Sequence, residues 1–195
     1  MVTRRARRAA SLGPMKARAR SLEYLARFAL ITGGLFAVYC FPYASFGISE
    51  RFFEGYLSAY ARAAGAIVAW FEPTVRVTGS EIIGRFAVRI AKNCDAVEVN
   101  ILFTAAVLAF PAPWSKRIVA WLAGLFLLVL ANLLRICALY FVGLYAPTAF
   151  ERAHVELFPL VLIVLATLEF VLWTNWMTRS VTPDGGTRGL VVRPS

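Results

Sequence analysis

Between Ile118 and Tyr145 the sequence runs for 28 residues with only two strongly polar side chains, Asn132 and Arg135. As a helix rising ~1.5 Å per residue, such a run exceeds the ~30 Å hydrocarbon core of a bilayer. A chain of this size cannot hide that much apolar helix from water, so the run fixes lipid as its solvent. Composition agrees: of 195 residues, 59% are apolar and 16% charged, against about 45–50% and about 25% in soluble domains. Disordered, collagen-like and disulfide-scaffold classes are excluded. The net charge of +10 would suit a nucleic-acid binder, but eight of the 21 Lys and Arg residues precede residue 28 and the rest scatter between apolar runs. That distribution orients a chain in a membrane, so lipid is the expected partner and nucleic acid is not.

The expected fold class is an all-α integral membrane protein with about four transmembrane helices, an amphipathic interfacial helix and a short extracytoplasmic hairpin. Residues 1–27 read as a basic cytoplasmic arm facing anionic lipid, 28–178 as the membrane-embedded domain, and 179–195, rich in Gly, Pro and Thr, as a disordered cytoplasmic tail. Four apolar runs supply the spans: Phe28–Ile48, Ala96–Phe110, Ile118–Tyr145 and Val155–Trp173. The first run lacks a small-x-small cleavage pattern and is read as a retained span instead of a signal peptide. Residues 52–71 are long enough to cross, but Arg62 stands mid-run at a cost of roughly 2.5–3.5 kcal/mol on insertion scales, which favours a helix in the interface. Pro73 ends it, and partial alternation over 74–91, with Gly79-Ser80 between, suggests the hairpin. Charge counting leaves both arrangements open. With four spans, 13 cations lie inside and seven outside, Arg135 aside; if 52–71 also crosses, 13 face six.

Three polar groups reach one membrane face in either arrangement. Cys94 precedes the span beginning near Ala96, Arg135 lies 17 residues beyond Ile118, or about 26 Å along a helix, and His154 precedes the last span. In the four-span arrangement that face is extracytoplasmic. A thiol attacks an amide as thiolate, which a neighbouring cation stabilises. Histidine can return the proton to the leaving amine, and the arginine fork can hold an oxyanion or a carboxylate. Each also has a structural reading: a small buried thiol, an interface imidazole, a guanidinium reaching for headgroups. Cys40 and Cys137 sit inside apolar runs and read as packing residues.

The stretches N-C-D-A-V-E around Cys94, N-L-L-R-I at Asn132–Ile136 and R-A-H-V-E around His154, each against its span, resemble the exosortase/archaeosortase family over about residues 25–178. The short chain is most similar to the compact exosortase H type. The resemblance implies a membrane cysteine protease or transpeptidase of the bacterial inner membrane. Its partners would be exported proteins bearing a C-terminal sorting signal composed of a short motif, a transmembrane helix and a basic cluster. It further implies Cys94 as the nucleophile forming a thioester, His154 as acid and base, Arg135 as the group orienting or stabilising the intermediate, and Asn132, one turn away, supporting Arg135. Asp95-Ala96 follow the cysteine where many members carry a small polar residue and glycine. No cofactor or metal is expected.

A second reading from a different class is a non-catalytic membrane scaffold in which Arg135 pairs with Glu98 or Glu156 to fix helix packing. A channel or transporter is disfavoured because the ionisable residues noted above collect at one end. The serine, zinc and aspartate patterns of other intramembrane proteases are missing from the sequence.

Overall fold

The computed structural model describes residues 4–41, 49–91 and 96–179, with side chains within 18–41, 54–91 and 96–177. The order of elements is α1 (Arg4–Cys40), α2 (Ser49–Val68), a meander of β1 (Arg76–Thr78), β2 (Glu81–Ile83) and β3 (Ala87–Arg89), then α3 (Val97–Ala109) and α4 (Trp114–Tyr145). A short 3-10 turn (Pro147–Ala149), α5 (Phe150–Arg152), a π turn (Ala153–Leu157) and α6 (Phe158–Arg179) complete it.

Three segments are long and apolar enough to cross a membrane: Arg18–Cys40, Trp114–Tyr145 and Pro147–Met177. In the first and last, almost none of the apolar window is buried inside the protein. Leu30, Val38, Leu160 and Leu172 point outward instead, which is stable only in an apolar surround. The apolar run expected as a second span is a helix of 13 residues, α3, about 20 Å long at ~1.5 Å per residue. It is the central element, packed against α1, α4 and α6. Its buried residues, Ile101, Phe103, Ala105, Val107 and Ala109, fall every second position and so on opposite sides of a helix turning about 100° per residue. The chain closes in on it where α4 carries Gly124, since a Cβ there would run into the Phe103 ring.

Several boundaries differ from the sequence expectation for identifiable reasons. The basic arm is continuous with the first span in one helix, because its alanines, arginines and leucines are strong helix formers. The expected continuation over 42–48 and the tail from 180 onward lie outside the described residues. Pro111 and Pro147 end α3 and α4, the residue before each being pushed out of helical conformation. At one end of the bundle an aromatic and basic belt forms: Lys116 lies 5.8 Å from the Trp176 ring, Arg117 4.1 Å from Trp114, and Tyr24 of α1 packs on Phe110.

The opposite end is capped by α2 and the meander. Ala61, Ala64 and Val68 of α2 share a buried cluster with Ile82, Val88 and Ile90 of the meander and Ile136, Cys137 and Tyr140 of α4. Arg62 is exposed, turned away from this cluster, so the helix is amphipathic about the arginine that argued against its crossing. Where a two-stranded hairpin was expected, the structure has three antiparallel strands in the order β1-β2-β3.

One buried carboxylate joins the cap to the bundle. Glu72 Oε2 accepts a 2.7 Å hydrogen bond from the Tyr140 hydroxyl, while Oε1 accepts from the Arg85 backbone N–H at 2.7 Å and from the Thr74 hydroxyl at 3.0 Å. Burial alone would raise the carboxyl's pKa, but these donors and the Arg85 charge outweigh it and hold Glu72 below its usual value. A lowered folded value means the contribution is complete above the ordinary value of 4.5 and is lost as the pH falls through the lower one. Tyr140→Phe is expected to loosen the cap. Trypsin cleavage after Arg76, Arg85 and Arg89 should then accelerate at neutral pH, and wild type should show the same acceleration, with an acid-stable protease, only well below pH 4.5.

Candidate functional site

Arg135 and Asn132 stand one helical turn apart on α4, and both are buried, at 5% and 0% exposure. A guanidinium stays charged at any physiological pH, so the capped end of the bundle holds a permanent positive charge in a low-dielectric setting. Its Nη2 donates to the backbone carbonyl of His154 at 3.4 Å. The last span is thereby tied to α4 at the residue expected to act as acid and base.

The local sequence explains why that carbonyl is accessible. Pro159 lies early in α6, has no N–H and crowds the carbonyl four residues before it. The preceding turn widens to π geometry over Ala153–Leu157, with the Phe158 N–H bonding back five residues to Ala153. In that register the His154 carbonyl meets only Pro159, and Arg135 supplies the donor. The imidazole stacks on Phe150, centroids 6.0 Å apart and planes within 15°. Phe150 in turn packs on Phe86 of the loop joining β2 to β3, which links the imidazole to the cap.

Cys94 and Asp95 lie outside the described residues. The helices on either side still set the level at which the chain enters α3. The antiparallel pairing of α3 with α4 is marked by the Arg117 guanidinium on the Leu108 carbonyl, Trp121 Nε1 on Thr104 Oγ1 at 3.0 Å, and Gly124 against Phe103. Continued at equal rise, this pairing sets Ala96 opposite about residue 130. Asn132 and Arg135 therefore stand within a turn or two of the level at which α3 begins. Ala96 itself is left-handed, with φ 54° and ψ 19°, the one non-glycine residue of positive φ among those described. That conformation costs an alanine roughly 1–2 kcal/mol.

The structure thus brings Arg135, Asn132 and His154 to one end of the bundle. Glu98 and Glu156, the carboxylates a structural ion pair would use, are both exposed. No ion pair joins either to Arg135 among the described residues; those formed are Arg27–Glu23 and Arg89–Glu81. Cys137 is a buried free thiol whose Sγ approaches the Ala64 carbonyl at 3.7 Å, and Cys40 is exposed and free. Among the described residues no three His, Cys, Asp or Glu side chains gather as metal ligands would.

Two acids outside the expected set matter here. Glu72 looks in sequence like the polar end of a helix before Pro73, and only the long-range contact with Tyr140 reveals it as the cap's anchor. Glu169 lies within the last span, with Oε2 buried and no hydrogen-bond partner among the described residues. It stands beside Phe170, which packs on Phe110, far along α6 from His154. The ionisable residues are therefore not confined to one end, and a lone acid in an apolar run is the signal that could have found this one.

No family model matches the chain, and no curated protein or solved structure is similar to it at a significant level.

Substitutions at two positions test the geometry. Pro159→Ala restores an N–H, so the π turn should relax toward α and the Arg135–His154 link should weaken. The expected result is a lowered unfolding midpoint, because the buried guanidinium loses an acceptor it needs. Ala96→Gly removes the penalty of the left-handed residue and should raise the unfolding midpoint, a gain on the order of 1 kcal/mol, while β-branched Ala96→Val lowers it. Both are read by thermal melts of the detergent-solubilised protein.

Proposed function

We propose that this chain is a membrane-embedded cysteine peptidase or transpeptidase of the exosortase type, cutting C-terminal sorting signals of exported proteins through a thioester on Cys94. The observation that supports it best is the Arg135 guanidinium, buried in an apolar helix and bonded to the carbonyl of His154. A cation so placed suits the developing charge of an acyl transfer, since in a water-poor setting its field is little screened.

In this reading the Cys94 thiolate attacks the scissile carbonyl, and the resulting oxyanion is stabilised by Arg135. Protonated His154 gives its proton to the leaving amine as the C–N bond breaks, leaving a thioester on Cys94. Water or an amine then attacks the thioester, loses a proton to His154, and releases the thiolate. Asn132 keeps Arg135 in its orientation from one turn away. The site faces the extracytoplasmic side of a bacterial inner membrane. The aromatic and basic belt around Trp114, Lys116, Arg117 and Trp176, on the same end as the basic N-terminal helix, supports a cytoplasmic placement of the other end. The short α3 serves as a fourth crossing within the bundle, α2 lies in the interface with exposed Trp70 and Phe71 at its end, and the meander stands over the site.

The test combines topology with chemistry. In variants retaining a single cysteine, a membrane-impermeant maleimide applied to whole cells should label Cys94. Cys94→Ala should abolish processing of a candidate substrate while the protein stays abundant. Arg135→Lys keeps the charge but loses the fork and should slow processing by about a hundredfold, the scale of losing an oxyanion donor; His154→Gln should do at least as much. Normal processing in Cys94→Ala overturns the reading and leaves Arg135 a packing residue of a scaffold.

A further inference from the structure

Among the described residues, one edge of the meander has no other element against it. β1 packs on α2, where Val77 meets Gly65, but β3 has only β2 as a substantial neighbour. The hydrogen-bond register shows which backbone groups this leaves open. The Ile90 N–H donates to the Ser80 carbonyl at 2.9 Å, and the Gly84 N–H to the Phe86 carbonyl at 3.1 Å, with Ile82 opposite Val88 between them. In an antiparallel ladder bonded pairs alternate with unbonded ones. Residues 86, 88 and 90 therefore face β2, and the N–H and C=O groups of Ala87 and Arg89 face away from it. Both residues are exposed, while the Val88 and Ile90 side chains are locked in the core, so the strand cannot turn these groups elsewhere.

A three-residue edge flanked by charge is also how proteins discourage self-pairing. This edge differs in where it leads: the chain leaves the sheet after Arg89 and reaches Cys94 five residues later. Its charge also selects a partner. Among the described residues of the meander, Arg76, Arg85 and Arg89 stand against Glu72 and Glu81; Glu72 is buried in its own hydrogen bonds, Glu81 is held by Arg89 at 2.7 Å, and Glu54 of α2 lines the cavity on the β1–β2 side with Glu81 and Arg89, which leaves Arg85 as the cation toward the open edge.

We propose that the outer edge of β3 is a docking strand for an extended, acidic segment of the substrate polypeptide, which adds as a fourth strand by bonding to the backbone of Ala87 and Arg89. The inference rests on the peptidase reading and deepens it, since it assigns the contact that holds the substrate beside the segment carrying Cys94. Recognition of this kind takes its affinity from main-chain hydrogen bonds and its selectivity from charge and alternate side chains.

The test is a binding measurement on the full-length chain in detergent, in a Cys94→Ala background so that nothing turns over. The probe is a fluorescent, end-blocked hexapeptide of alternating valine and glutamate. Saturable binding is expected. It should weaken about tenfold or more when alternate peptide amides are N-methylated, the scale of losing one or two net backbone hydrogen bonds. Replacing glutamate by lysine should weaken it similarly, and Arg85→Glu with Arg89→Glu should reverse that preference. Ala87→Pro, which removes an outward N–H group and is tolerated at a sheet edge, should weaken it while trypsin resistance of the cap is retained. No saturable binding, or equal binding of the N-methylated peptide, overturns the docking strand. This outcome is separate from the fate of the peptidase reading, which falls only if Cys94→Ala processes substrate normally.

Discussion

A guanidinium buried in a helix bundle that is itself surrounded by lipid is the constraint on which one end of this molecule depends. Removing such a charge from water costs several kcal/mol unless acceptors are arranged around it. The last span meets that need at the cost of its own regularity. Pro159 leaves a carbonyl that the helix cannot satisfy, the π turn presents it, and Arg135 takes it up. Neither feature is stable alone: a proline near a helix start needs a donor for the displaced carbonyl, and a buried arginine needs acceptors. The pairing sets the relative heights of α4 and α6 and carries His154 to the guanidinium.

The cap depends on the same helix. Asn132, Arg135, Ile136, Cys137 and Tyr140 occupy two successive turns of α4 and are all buried, yet they serve different partners. The first two serve the polar end of the bundle, and the last three hold α2 and the meander. Tyr140 reaches Glu72, and Phe86 lies over Gly143, where a Cβ would collide with its ring. Any shift of α4 along its axis would disturb the guanidinium and the cap together. The cap is thus held by the helix that bears the charge.

How much of this the sequence discloses depends on the range of the interaction. Arg135 and Asn132 are legible because polar residues are rare in an apolar run, and Arg62 is legible for the same reason; the exposed position of Arg62 on α2 follows from it. The limits of the first span are not, since alanine and arginine continue a helix as readily as leucine does. The strands are each three residues long, too short for alternation to declare three of them. Glu72 is invisible because its partner is 68 residues away. Glu169 was open to discovery by the argument applied to Arg135, and its place far from His154 shows that an ionisable residue in a span need not belong to the same cluster. α3 reads as a span from its apolarity, but its burial on opposite sides depends on the three helices around it.

The two principal side chains also differ in how far they reach toward water, and the difference suits the roles proposed for them. Arg135 is buried and His154 half-buried, although backbone and guanidinium are bonded. A group that stabilises negative charge acts most strongly where the dielectric is low. A group that gives a proton to the leaving amine and takes one back from the incoming nucleophile must be reachable by that nucleophile. Placing the guanidinium one layer deeper than the imidazole meets both demands with a single contact.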